Sequence, residues 1–227
     1  MSERSSSTPE GSPSSRFEQA YRDLRNLLVS GHFEPNARLT EAELTSRLDV
    51  SRGTIRSVLV RLAQEGYVTS EPNRGVRTRV FTVEEAATVL EAREVLESAL
   101  AAKAATHATD SELRELAGIC QQMGDAEEAR AEADYSRLNR RFHRQVRAMA
   151  RQPILSGFVD VLVYPLVMRQ FRDRTRTHPR ANSLNEHRAI VAALKTRNPD
   201  AAAAAMRHHV ASARRALLLN ATRTTDG

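Results

Sequence analysis

The chain has 227 residues, enough for two compact domains, and its 41% apolar content is that of a globular protein. A net charge of +6 and a pI of about 10.2 favour a polyanionic partner, and the basicity is nearly all arginine, since Lys103 and Lys195 are the only lysines. Zero Trp and 4% aromatic residues argue against a base-stacking single-strand binder, lone Cys120 excludes an intramolecular disulfide, and the most apolar run, 158–168, is too short to span a bilayer and is broken by Asp160 and Pro165.

Residues 1–16 are rich in Ser, Pro, Gly and charge and read as a disordered tail. This stretch is polar and shows no secretory signal. With the single cysteine, that points to the cytoplasm. Phe17, Ala20, Tyr21, Leu24, Leu27 and Leu28 share one face of an amphipathic helix over 17–30, which Gly31 ends. Arg38-Leu39 leads into the next helix. There, Thr40-Glu41-Ala42-Glu43 forms a capping box, opening a short helix that runs to about Leu48. Asp49-Val50-Ser51 is a three-residue turn, and a second helix follows to Gly66. Ile55, Val58, Leu59 and Leu62 repeat at helical spacing and form its buried stripe. Gly53, Arg56, Ser57 and Val60 point the other way, with Arg52 at the amino end. This is the helix-turn-helix pattern, and its outer face can offer arginine forks to a major groove. Tyr67-Val68-Thr69 and residues 75–80 are strand-like runs around Glu71-Pro72-Asn73-Arg74-Gly75, so a hairpin wing follows, with Arg74 near its tip. The alternative is an ordinary amphipathic hairpin whose arginines only keep it soluble.

Phe81 marks the domain boundary, giving a winged unit over 17–80 and a second domain over 81–227. Thr82-Val83-Glu84-Glu85 and Thr109-Asp110-Ser111-Glu112 are capping boxes for helices to about His107 and Arg130. A further helix spans 132–151, with Tyr135, Leu138, Phe142, Val146 and Met149 on its apolar face. Pro153 starts the next, which Pro165 should kink. Residues 171–182 read as a loop or frayed end. Ser183-Leu184-Asn185-Glu186 is a fourth capping box, opening a helix to about Lys195, and Asn198-Pro199 starts the last, to about Asn220. The fold class is mostly α: a winged helix-turn-helix followed by an all-helical bundle.

Four of the seven histidines fall inside bundle helices. Asn139 and His143 are one turn apart. His187 is in line with Ile190, Val191 and Leu194. His209 shares a stripe with Ala202, Met206, Ala213 and Leu217. Both face inward, whereas His208 faces out. Three inward imidazoles with an oxygen donor would suit Zn²⁺, Ni²⁺, Mn²⁺ or Fe²⁺ with coordination positions left open. Spacing alone favours core histidines satisfied separately, since the helices can be arranged so that the three rings never meet.

The two halves together resemble one family. Gly31-His32-Phe33-Glu34-Pro35, Arg38-Leu39-Thr40-Glu41, Ser51-Arg52, Arg56, Arg61-Leu62, Glu65-Gly66 and Arg74-Gly75 are similar to the DNA-binding domain of the gluconate-repressor (GntR) superfamily. Arg93-Glu94-Val95-Leu96-Glu97, Asn139-Arg140-Arg141-Phe142-His143, Glu186-His187-Arg188-Ala189-Ile190 and Met206-Arg207-His208-His209 resemble its FadR subgroup, which carries a helical FCD-type ligand domain. The resemblance implies a homodimer on a palindromic operator in double-stranded DNA, with repression the expected sign. Arg38, Arg52, Thr54, Arg56, Ser57, Arg74 and Gly75 are the candidate DNA contacts. It further implies a divalent metal held by Asn139, His143, His187 and His209, and a small organic-acid effector, for which Arg93 is a candidate ligand. Arg93 equally well forms an i, i+4 pair with Glu97. Three residues depart from the family pattern. Asn36 replaces a turn glycine, which Asn tolerates. Ala42 replaces an arginine that contacts DNA in some members. Asn139 replaces the commoner Asp, which leaves the metal's charge uncompensated and favours an anionic effector.

Two other classes compete with a DNA-binding regulator. A three-His metalloenzyme would activate water, but no general base or nucleophile motif accompanies the histidines. A protein-interaction adaptor would not need Arg52, Thr54 and Arg56 on the outer face.

Overall fold

A computed structural model describes residues 13–71, 75–162, 164–171 and 180–222. The chain divides into two compact units, one ending at Val80 and the other beginning at Phe81.

In the first unit, α1 (Pro13–Ser30) starts four residues before Phe17, so residues 13–16 are helical instead of part of a tail. Ala20, Tyr21, Leu24 and Leu28 are its buried face. Asn36 takes φ 63°, the left-handed conformation its short amide permits. α2 (Glu41–Leu48) is capped by Thr40, whose hydroxyl accepts the Glu43 N–H. Asp49 at φ 50° turns the chain into α3 (Arg52–Gln64), where Ser51 Oγ accepts the Thr54 N–H at 3.1 Å. Ile55, Val58, Leu59 and Leu62 are all buried beneath α3. Gly66 at φ 77° ends it, and the Tyr67 N–H returns to the Leu62 carbonyl at 2.8 Å.

Polar contacts lock α3 to α1. Tyr21 OH donates to Glu65 at 2.5 Å, and Arg61 bonds both Glu65 and Glu18 while its guanidinium lies 3.8 Å from the Tyr21 ring centre. Burial, then the Glu65 bond, pushes the Tyr21 phenol up to about 12. The sheet holds one strand more than the hairpin. β1 (Arg38–Leu39) pairs antiparallel with β3 (Gly75–Thr78), which pairs in turn with β2 (Val68–Glu71), in the order β1-β3-β2.

The second unit is built on α4 (Val83–His107), which packs against most of the helices that follow. Thr82 and Glu85 form a complete capping box at its start, and Thr109 and Glu112 do the same for α5 (Asp110–Glu128). α6 (Glu132–Met149) buries Tyr135, Leu138, Phe142, His143, Val146 and Met149. The expected kinked helix is instead two: α7 (Pro153–Asp160) and α8 (Tyr164–Gln170). Pro165 falls in the first turn of α8, where a missing N–H costs nothing, so a break accommodates it better than a bend. Residues 172–179 lie outside the described part. α9 (Arg180–Lys195) begins three residues before Ser183, so Ser183 and Glu186 are not a capping box. α10 (Pro199–Thr222) closes the unit and packs most extensively on α4, where Ala101, Ala104 and Ala105 of α4 and Ala202 of α10 are all fully buried and small.

Candidate metal centre and DNA-facing helix

On α3 the stripe that packs inward leaves Arg52, Gly53, Arg56, Ser57 and Val60 exposed, while Thr54 is half-buried and its hydroxyl meets that of Ser51 at 2.9 Å. Ser57 Oγ donates to the Gly53 carbonyl at 3.2 Å. Arg56 Nε donates to Glu41 Oε1 at 2.7 Å, which leaves the terminal nitrogens of the guanidinium without a partner among the described residues. That bond also holds the Glu41 carboxyl below its ordinary range. Arg38 is exposed on β1, directly opposite Arg77 on β3. Arg77, a second wing arginine that the sequence pattern did not single out, donates to the Asn36 carbonyl at 2.9 Å. Gly75 takes φ 82°, a conformation that side chains rarely adopt. Arg74 lies outside the described residues.

In the helical unit, His143 comes from α6, His187 from α9 and His209 from α10. Each offers a ring nitrogen, and these nitrogens lie within 4.8 Å of one another. All three rings are buried. The His187 and His209 ring centres are 4.2 Å apart, and Phe142 packs edge-on against His187 at 4.8 Å. His208 is on the outer face, with its side chain 67% exposed.

The Nδ1 atoms are all engaged. His143 Nδ1 meets Glu97 Oε2 at 2.6 Å, His187 Nδ1 meets the Ser183 carbonyl at 2.6 Å, and His209 Nδ1 meets Glu186 Oε2 at 2.9 Å. The Nε2 atoms of His143 and His209 face each other at 3.3 Å. His187 Nε2 and Asn139 Oδ1 are buried without a hydrogen-bond partner among the described residues. Behind His143, Arg93 grips Glu97 through Nε at 2.5 Å and Nη2 at 3.3 Å, and both side chains are almost completely buried. Arg93 therefore sits in the i, i+4 pair.

The electrostatics keep two of these rings, His143 and His187, neutral. Burial lowers the His143 pKa to about 4, with Glu97 opposing and Arg93 adding to the fall. Burial, then the neighbouring His209 and His143, pushes His187 well below its usual value. Burial alone would raise Glu97, but Arg93 and the His143 ring outweigh it and hold the carboxyl well below the usual range. The residues present fit a divalent metal. Neutral imidazoles are competent ligands, two buried polar atoms lack partners, and metal–nitrogen bonds of about 2.0–2.1 Å at tetrahedral angles put two ligand nitrogens about 3.4 Å apart. Glu97 and Glu186, read from the sequence as an ion-pair partner and a capping residue, stand directly behind two of the rings.

The sequence matches two family models: "Bacterial regulatory proteins, gntR family" over residues 16–78 and "FCD domain" over 88–212. It is 26% identical over 193 residues to the HTH-type transcriptional repressor RspR of Escherichia coli (strain K12), with 85% of each chain covered. It is 28% identical over 184 residues to the Nta operon transcriptional regulator of Aminobacter aminovorans, covering 81% of this chain and 86% of that one. A crystal structure of a GntR transcriptional regulator from Rhodococcus sp. RHA1 superposes with a TM-score of 0.73 at 25% identity, covering 90% of this chain and 98% of the other. The matched relatives are regulators, which removes the metalloenzyme reading. With a DNA-binding winged helix-turn-helix before an FCD domain, the chain belongs to the GntR family of transcription regulators.

Proposed function

We propose that this regulator is a homodimeric, cytoplasmic repressor whose grip on a palindromic operator is set by an organic-acid effector bound at a divalent metal in the helical unit. One observation carries the metal reading: His143 and His209 present Nε2 to Nε2 at 3.3 Å while both Nδ1 atoms face carboxylates. With both rings neutral and their protons on Nδ1, neither Nε2 has a proton to share, and a cation between them would resolve the opposition of lone pairs. His143, His187 and His209 would hold the metal with Asn139 Oδ1 as the oxygen donor. When bound, the metal supplies a positive centre that can take the effector's carboxylate. The chain's own residues bury the rings, hold His143 and His187 neutral and bring three helices together.

The DNA reading rests on α3. Arg52, Arg56 and Ser57 form an exposed face, with Arg38 on β1 and Gly75 in the wing as further contacts; Arg74 and Thr54 complete the proposed set. Repression is supported by the similarity to RspR, a named repressor. Effector binding would shift helix packing in a two-state manner and so alter the placement of the two recognition helices in a dimer. Elemental analysis of protein purified without a metal-affinity column tests the centre: about one divalent metal per chain supports it, and none after incubation with excess Zn²⁺ or Ni²⁺ refutes it. A gel-shift against the intergenic DNA beside its own gene tests the operator reading.

A further inference from the structure

The backs of the histidines show a second layer. A neutral imidazole has one donor and one acceptor nitrogen, and an ionised carboxylate or a backbone carbonyl can only accept. The nitrogen that meets Glu97, Glu186 or the Ser183 carbonyl must therefore be the N–H. That makes all three rings Nδ1–H tautomers, with every Nε2 lone pair turned to the shared centre. Three unrelated acceptors impose the same tautomer. Glu97 reaches His143 across from α4 to α6, Glu186 reaches His209 from α9 to α10, and Ser183 serves His187 within α9.

We propose that Glu97 and Glu186 are positioning residues for the metal, fixing His143 and His209 as Nδ1–H tautomers and aiming both Nε2 atoms at one point. This inference rests on the metal reading above. Arg93 completes the arrangement by holding the Glu97 carboxylate from the far side, so that Oε2 stays in line with His143. Glu186 and His187 are neighbours in sequence, so one turn of α9 supplies a ring to the centre and a carboxylate to the back of another ring. A carboxylate in this place also makes the imidazole a stronger donor to a metal, and the loss of such a partner typically weakens metal binding by about 10- to 100-fold.

The test uses the full chain, stripped of metal by chelator dialysis and titrated with Zn²⁺ against a chromophoric competitor. Glu186→Gln is the first variant, because Glu186 is at the edge of the buried region and its loss leaves no buried cation behind. The expected result is Zn²⁺ affinity reduced by about 10- to 100-fold, with circular dichroism and melting of the metal-free protein unchanged. Glu97→Gln is expected to show at least the same loss, and it additionally strands Arg93. A second measurement does not depend on metal. Long-range ¹H–¹⁵N spectra of the metal-free wild type should show Nδ1–H tautomers for His143, His187 and His209, and Glu186→Ala should release His209 from that state. Nε2–H tautomers in the wild type overturn the inference. So does Glu186→Gln binding Zn²⁺ as tightly as a wild type that takes one ion per chain, and in that case the metal reading survives. A wild type that takes up no Zn²⁺ removes both.

Discussion

Replacing Arg93 separates its two candidate roles. The side chain is 1% exposed, and its partner Glu97 is 2% exposed, so neither charge has water to fall back on. Arg93→Met fills similar space but leaves the Glu97 carboxylate buried with only His143 beside it. Breaking a buried pair by removing one partner costs about 3–5 kcal/mol, because the remaining charge is uncompensated. In a unit of this size each kcal/mol moves the melting temperature by about 2–4 °C, so the metal-free transition should fall by about 6–20 °C. Thermal unfolding followed by circular dichroism measures it, with metal and effector absent so that ligand binding cannot contribute. Arg93→Met combined with Glu97→Gln should cost less than Arg93→Met alone, since the second change removes the stranded charge. A loss below about 1 kcal/mol for Arg93→Met, or additive effects in the double variant, would refute a structural pair and return Arg93 to the effector.

The metal-free protein should also lose stability as pH falls from 6.5 toward 4. His143 is lowered from 6.5 to about 4 in the fold, so the unfolded chain takes its proton first; the contribution, on the order of 3 kcal/mol, is complete above the unfolded value and lost below it. Urea midpoints that stay flat across that window would contradict it. On α10, His209→Ala should abolish Zn²⁺ binding while His208→Ala leaves it unchanged, and the reverse pattern in a Zn²⁺ titration would put the helical phase in error. Arg56→Ala should weaken operator binding by roughly tenfold or more and relax discrimination at one base pair; equal losses on matched and mismatched duplexes would assign Arg56 to phosphate. Asn139→Asp should tighten Zn²⁺ and weaken a carboxylate effector, and calorimetry showing both unchanged would remove Asn139 from the ligand set.

The helix-turn-helix was legible because every signal for it is local. Ser51 caps, Asp49 turns, Gly66 stops, and a four-residue apolar stripe lies between them. β1 was not legible. Two residues carry no periodicity, and what makes Arg38 and Leu39 a strand is pairing with Arg77 and Val76, far along the chain. The division between α7 and α8 was half visible: Pro165 signalled a disturbance, but a kink and a break have the same sequence signature. The start of α9 misled for a different reason. Ser-x-x-Glu is a capping box only if the serine lies outside the helix, and here the helix has already begun at Arg180.

That misreading concealed part of the centre. Inside a helix, Glu186 is released from capping and its carboxylate accepts from His209, while the Ser183 backbone carbonyl accepts from His187. Glu97 was concealed by its pairing with Arg93, since an i, i+4 ion pair is usually a solvated one. A signal was present all the same. Arg93 and Glu97 fall in phase with Leu90, Leu100, Ala101 and Ala104, the buried stripe of α4, and a charged pair in such a stripe must have a reason to be there. The reason bears on Asn139. An Asp at that position would place a negative charge directly on the metal. In the proposed centre the carboxylates lie instead behind the rings of His143 and His209, where they would raise the donor strength of the nitrogens in place of supplying a charged ligand. In the proposed centre, an amide oxygen at position 139 would complete the set without adding a charged ligand, which would leave the metal open to the carboxylate of the proposed effector.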